Sequence, residues 1–278
     1  MRRRIALAHA SLIVDDLEVH LGGATIMQHL SLSAEDGEFV AIIGTSGCGK
    51  TTLLRTVAGL IPHVDGSIAL HDKPVVGPES RVAMVFQHFG LFPWKTVEKN
   101  VSYGLDVIGR PDPDGRIDRL LEMMHLTESR RKYPFQLSGG MKQRAGIARA
   151  LCMEPELLLL DEPLSAVDAI TREVLQGEIL HLWDSQSDMN ALLVTHDLDE
   201  AILMADRIIV LGGPPTQVLL ETTVPIARPR NPRTIRSNPE YAPLRARLWE
   251  TLQNTQAAAH GRPPASDGSS DDAMEVRS

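Results

Sequence analysis

The sequence predicts an α/β protein with a mostly parallel core sheet, interrupted by a compact helical insertion. Three observations predict it. Short apolar runs alternate with helical patterns along most of the chain. One such run, FVAII, leads into a glycine-rich loop that opens a helix. From about Phe89 to Met153 the strand-like runs vanish and helical periodicity takes over.

Taken in order, Ser11–Val19 and Gly23–Leu32 read as early strands. Phe39–Ile43 is a continuous apolar run, the mark of a buried strand, and KTTLLRTVAGL follows as a helix. GSIAL and RVAMVF are further strands, the second ending near Gln87. The insertion reads as TVEKNVSYGLDV, IDRLLEMMHL and GGMKQRAGIARALC, with the breaker PDPDG between the first two. Strand texture returns in LLLLD (Leu157–Asp161), ALLVTH and RIIVLGG. DAITREVLQGEILHLW lies between the first two as a surface helix, and TQVLLETTV suggests a hairpin partner. A proline- and arginine-rich linker, ARPRNPR, precedes a last helix with Asn238 as cap and Pro239 at its first position. Leu244, Leu248 and Leu252 share one face of it, for packing or for regulation. From Ala257 the composition turns Gly/Ser/Asp-rich, and disorder is expected. There are no internal repeats. The expected organisation is a nucleotide core from 1–88 and 154–224, a helical subdomain at 89–153, a C-terminal linker and helix at 225–256, and a tail at 257–278.

Composition bounds the partners. With 278 residues, 43% apolar and 23% charged, the chain is an ordinary globular protein with length for a substantial core. A net charge of −8 argues against a surface built to hold nucleic acid. Cys48 and Cys152 form no metal-ligand spacing and no disulfide framework, which fits a reducing cytosol. No apolar run approaches the roughly 18–20 residues that cross a bilayer. Arg2, Arg3 and Arg4 before an apolar stretch resemble a secretory leader. His9 interrupts that stretch and Asp15 and Asp16 close it, so a first strand with a basic leader is expected.

The chemistry concentrates at strand ends. Gly44, Thr45, Ser46, Gly47, Cys48, Gly49, Lys50, Thr51 and Thr52 fit the pattern G-x-x-x-x-G-K-[ST] after a strand and before a helix. Glycines let backbone N–H groups wrap an anion, and the helix start adds free donors and partial positive charge. Lys50 reaches outer phosphates, and the Thr51 hydroxyl is placed to hold Mg²⁺. Cys48 is either a thiol activated by the helix start or a small residue at a tolerant position. Asp161 and Glu162 close a buried strand, where ligands sit in open α/β sheets. Asp161 suits the metal, and Glu162 suits orienting or deprotonating a water. His196 ends another strand at the same rim, within reach of a phosphate or of Glu162. Gln87 ends a third, where an amide contacts metal or water.

A second glycine turn, LSGGMKQR, has no Lys-Thr behind it, yet serine and glycine amides at a helix start also make an anion site. It lies in a different subdomain from the first loop. Two chains paired head to tail bring Ser138 and Gly140 of one onto the phosphate held by Lys50 of the other, twice in a C2 dimer.

These motifs, with Ser165–Asp168 (SAVD) and in this order and spacing over roughly residues 11–224, resemble the nucleotide-binding subunit of ATP-binding cassette (ABC) transporters. The runs VFQHFGLFPWKTVEKNVSYGL and MKQRAGIARAL and the tail RPRNP…NPEYAPLRARLWETL are similar to the nitrate/sulfonate/taurine importer group. The resemblance implies a P-loop NTPase fold with an antiparallel β subdomain, and ATP and Mg²⁺ as ligands. It implies trans contacts from Ser138, Gly139, Gly140 and Asp168. It further implies a homodimer on the cytoplasmic face of the membrane, permease subunits docked beside Phe89–Gly104, and an extracytoplasmic solute-binding protein. One departure concerns the base: the family usually stacks an aromatic on adenine where this chain has His20 and Leu21. Three rivals share parts of the pattern. Mechanical ATPases need a long coiled coil before LSGG, and P-loop kinases lack LSGG. A soluble cassette-type assembly ATPase without a permease shares every motif.

Overall fold

The computed structural model describes residues 10–112, 115–165, 167–184 and 189–259. The basic leader and most of the expected disordered tail lie outside them. Two sheets form. The first joins β1 (Ala10–Leu21), β2 (Ala24–Glu35), β4 (Asp65–Leu70) and β5 (Lys73–Pro74) in the order β2-β1-β4-β5, antiparallel throughout. The second takes β3 (Phe39–Gly44), β6 (Val82–Val85), β7 (Leu157–Asp161), β8 (Asn190–Val194), β9 (Arg207–Gly212) and β10 (Gln217–Thr223) in the order β10-β9-β3-β8-β7-β6. It is parallel except for β10, which pairs antiparallel with β9.

Covering on both faces explains why these strands read as unbroken apolar runs. Side chains alternate between two cores. Phe39, Ala41, Ile43, Leu158 and Leu160 enter a core with the helical insertion and the C-terminal helices. Val40, Ile42, Leu157 and Leu159 enter one with the antiparallel sheet and α1 (Lys50–Val57). The period of two in each strand thus sorts one sheet into two packing layers.

The insertion holds α2 (Val97–Val101), α3 (Tyr103–Val107), α4 (Arg116–Met123) and α5 (Gly139–Leu151). Thr96 caps α2 and Ser138 caps α5, each accepting from the backbone three residues on. The single helix expected over TVEKNVSYGLDV is broken at Ser102, whose hydroxyl donates to Asp106 at 3.1 Å. α6 (Ala169–Asp184) is the expected surface helix, and α7 (Leu198–Met204), which the sequence reading did not name, follows β8.

The C-terminal part departs from expectation at both ends of α8. α8 begins at Tyr241, after a short 3₁₀ turn, so Pro239 lies outside it. Asn238 does act as a cap to this start: its Oδ1 accepts from the Glu240 amide and its carbonyl from the Tyr241 amide. The helix continues to Ala259, three residues into the segment expected to be disordered. The arginine-rich linker is also pinned. Arg228 pairs with Asp206 at 2.7 Å, and the buried Arg230 donates to the carbonyls of Ile202, Leu203 and Ala205 at the end of α7. A cation on terminal carbonyls satisfies groups a helix leaves open. Among the described residues no helix is long and apolar enough to cross a membrane.

Candidate functional site

Four neighbouring parallel strands deliver the site. β3, β8, β7 and β6 end, respectively, in the loop from Gly44, in Thr195–His196, in Asp161–Glu162, and just before Gln87. All four ends are carboxyl ends, the rim where open α/β sheets bind ligands.

A pocket of about 440 Å³ opens there, lined by Ile26, Gly44, Ser46, Gly47, Gly49, Lys50, Thr51, Thr52, Glu162 and His196. The loop needs its glycines. A Cβ on Gly44 would lie 2.4 Å from the Leu211 carbonyl oxygen. Gly49 sits at φ 99°, and a Cβ there would lie 2.5 Å from the Thr216 hydroxyl. Glycine thus lets the loop lie hard against the end of β9 and the Thr216 turn in a form that side chains would not permit. Lys50 Nζ bonds the Gly44 and Thr45 carbonyls, each at 2.9 Å, and lies 3.9 Å from Cys48 Sγ. Cys48 itself is fully buried beneath the loop.

The carboxylates divide as their neighbours dictate. Thr51 Oγ1 donates to Asp161 Oδ1 at 2.9 Å. Burial pushes the Asp161 carboxyl above its ordinary range, opposed by the Thr51 hydroxyl. A hard-oxygen pair at the phosphate end of the pocket fits Mg²⁺. Among the described residues no three His, Cys, Asp or Glu side chains group to hold a metal. Phosphate oxygens and water must therefore complete any shell at this pair. Glu162 faces the other way. Its Oε2 accepts from Gln87 Nε2 at 3.1 Å and lies 3.2 Å from His196 Nδ1. His196 is 66% exposed and Glu162 22%, so the acid is sheltered and the imidazole forms the outer wall.

The structure thus gathers the phosphate loop, Asp161, Glu162, His196 and Gln87. Ser138, Gly139, Gly140 and Asp168 do not line the pocket. Ser138 and Asp168 face solvent. His20 bonds Glu18 at 2.8 Å and, like Leu21, lies off the pocket lining. The apolar wall is instead Ile26, which no sequence signal marked. Thr216 was also unmarked: its hydroxyl donates toward the carbonyls of Ile26 and Cys48, at 2.8 and 2.7 Å, and so fastens the phosphate loop from below.

Comparisons with known proteins agree with this geometry. A family profile for ABC transporters matches residues 27–165. The aliphatic sulfonates import ATP-binding protein SsuB 2 of Burkholderia cenocepacia is 45% identical over 242 residues, covering 87% of either chain. The nitrate import ATP-binding protein NrtD of Synechococcus elongatus is 39% identical over 236 residues, 83% of this chain and 86% of its own. Among solved structures, the dimeric post-hydrolysis state of the ATP-binding cassette MJ0796 bound to ADP and phosphate superposes with a TM-score of 0.68. It is 28% identical and covers 78% of this chain and all of that one. With phosphate loop, paired carboxylates and histidine on one sheet rim, and relatives matched almost end to end, the chain belongs to the ABC transporter family.

Proposed function

We propose that this chain is the ATP-hydrolysing subunit of an importer for a small oxoanion-type solute, of the sulfonate or nitrate class. It works as a homodimer on the cytoplasmic face of a membrane, bound to permease subunits that a solute-binding protein serves from the far side. The observation that carries the enzymatic part is Glu162 Oε2, held between Gln87 and His196 at the mouth of the phosphate pocket.

Bound ATP supplies the bond that is cleaved, and Mg²⁺ neutralises charge on its outer phosphates. The chain's own residues do the rest. Backbone amides of the loop from Gly44 to Thr52 and the Lys50 ammonium grip the phosphates. Thr51, Asp161 and Gln87 present oxygens to the metal. Glu162 orients a water and takes its proton. His196 closes the site over the terminal phosphate and holds Glu162 in line. Ser138, Gly139, Gly140 and Asp168 of one protomer cover the nucleotide of the other, so that ATP joins the dimer and loss of phosphate releases it. Phe92, Trp94 and Tyr103 form a joined aromatic group within Phe89–Gly104, and Trp94 is 70% exposed. This group is the permease contact. Relatives named for sulfonate and for nitrate import support the solute class.

Glu162→Gln tests the base. It should bind ATP as the wild type does and lose hydrolysis by about 10²–10⁴-fold. Phosphate release at near-normal speed in that variant removes Glu162 from the role.

A further inference from the structure

Glu162 and His196 also line a second, narrow pocket with room for about 10 Å³, together with Leu164, Ser165, Arg172, Thr195, Asp197 and Glu200. That volume is about one water molecule. Glu200, in the first turn of α7, is only 3% exposed. Thr195 bonds its carboxyl, yet its Oε1 meets no hydrogen-bond partner among the described residues. Arg172, on α6, reaches Asp197 at 3.5 Å and the Val167 carbonyl at 3.2 Å, while its buried Nε meets none. Two buried polar atoms without partners, on residues that line one water-sized cavity, are costly unless something bridges them.

We propose that Glu200 is a positioning residue for ATP hydrolysis. One buried water, shared by its carboxyl and the Arg172 guanidinium, ties the loop carrying His196 to the loop Ser165–Asp168 and fixes Glu162 against the attacking water. The proposal rests on Glu162 as the base. Burial pushes the Glu200 carboxyl up to about 7, so its neutral, hydrogen-donating form is populated at neutral pH. The titratable or charged groups facing the cavity are Glu162 from the end of β7, Arg172 from α6, His196 and Asp197 from the loop after β8, and Glu200 itself. The loop Ser165–Asp168 ends in one of the residues assigned to the partner's nucleotide. The bridge therefore links the acid of one site to the closure of the other.

The test is steady-state hydrolysis by the full chain over a range of ATP concentrations. Glu200→Leu keeps volume and removes the polar bridge. It should lower kcat roughly 10–100-fold, the scale of a small misplacement of reacting groups, and leave KM for ATP within about two-fold. Glu200→Gln, which donates and accepts in the same place, should restore kcat to within a few-fold of wild type. Should Glu200→Leu fail to fold, Arg172→Met removes the other end of the bridge and should show the same loss in kcat alone. Full kcat in Glu200→Leu, or in Arg172→Met where the first does not fold, overturns the proposal. So does a high-resolution crystal structure with the cavity dry. Glu162→Gln assayed alongside separates the two ideas: if it turns over normally the base assignment fails, and if it is dead while Glu200→Leu is fully active only the bridge fails.

Discussion

Glu162 owes its aim to backbone as much as to charge. It sits at φ 45°, its amide donates to the Val194 carbonyl at 2.9 Å, and its own carbonyl accepts from the Ser165 hydroxyl at 2.9 Å. A non-glycine residue in the left-handed region at a functional site is strain that the surroundings must hold. At the same scale, Glu200 makes a prediction about stability. Its folded pKa of about 7 lies above the ordinary 4.5, so the folded state holds an extra proton between those values. Wild-type stability therefore falls relative to Glu200→Gln as pH rises from about 4.5 through about 7. At pH 8 the glutamine variant should be more stable by on the order of 1–3 kcal/mol, and near pH 4.5 the gap should close. Urea midpoints at pH 5 and pH 8 measure it; a gap independent of pH contradicts a buried acid. The motif residues of this site were legible because their spacing and strand context carry the chemistry. Ile26, Thr216 and Glu200 were not. Nothing in DLDEAILM marks Glu200 as buried; α7 packs against β3, α8 and α6, and Glu200 is enclosed only once those elements meet.

Elements were legible where burial is two-sided or capping is strong. β3, β7 and β8 carry no exposed position, so their sequences are nearly pure Leu, Val, Ile and Ala. Element ends fared less well: the helix expected over TVEKNVSYGLDV divides at Ser102, and regular α8 begins at Tyr241, beyond Pro239. The two-residue β5 has no sequence signal at all; Pro74 survives there only because β5 is an edge strand. The face of α8 was read correctly from its leucines. Leu244 and Leu248 are buried in the core that the helical insertion also enters, and Leu252 packs against it. Leu248 is 0% exposed, and Leu248→Ala should cost about 2–5 kcal/mol in a urea titration. A cost below about 1 kcal/mol would mean that α8 is a loosely held appendage.

At the scale of the whole molecule, the glycine turn at Ser138 does not line the pocket of Lys50 within one chain, and the proposed dimer supplies it from the partner. A fused dimer distinguishes partner completion from completion within one chain. With Lys50→Ala in one half and Ser138→Arg in the other, both lesions fall in the same composite site and one site stays intact. With both lesions in one half, each site is damaged. The first arrangement should retain ATP hydrolysis well above the second; equal rates, or the reverse order, refute the trans assignment. Dimer geometry was expected from a motif without a ligand in its own chain, an inference from chemistry rather than from periodicity.

The Thr216 hydroxyl has a consequence at a distance. It is the one rivet, among the described residues, that joins the carbonyls of Ile26 and Cys48 through the turn between β9 and β10. When the phosphate loop stiffens around a nucleotide, that stiffness passes through the rivet to the hairpin on the sheet's outer margin. Slowed amide exchange along β10, in the residues after Thr216 that do not line the pocket, becomes a gauge of occupancy.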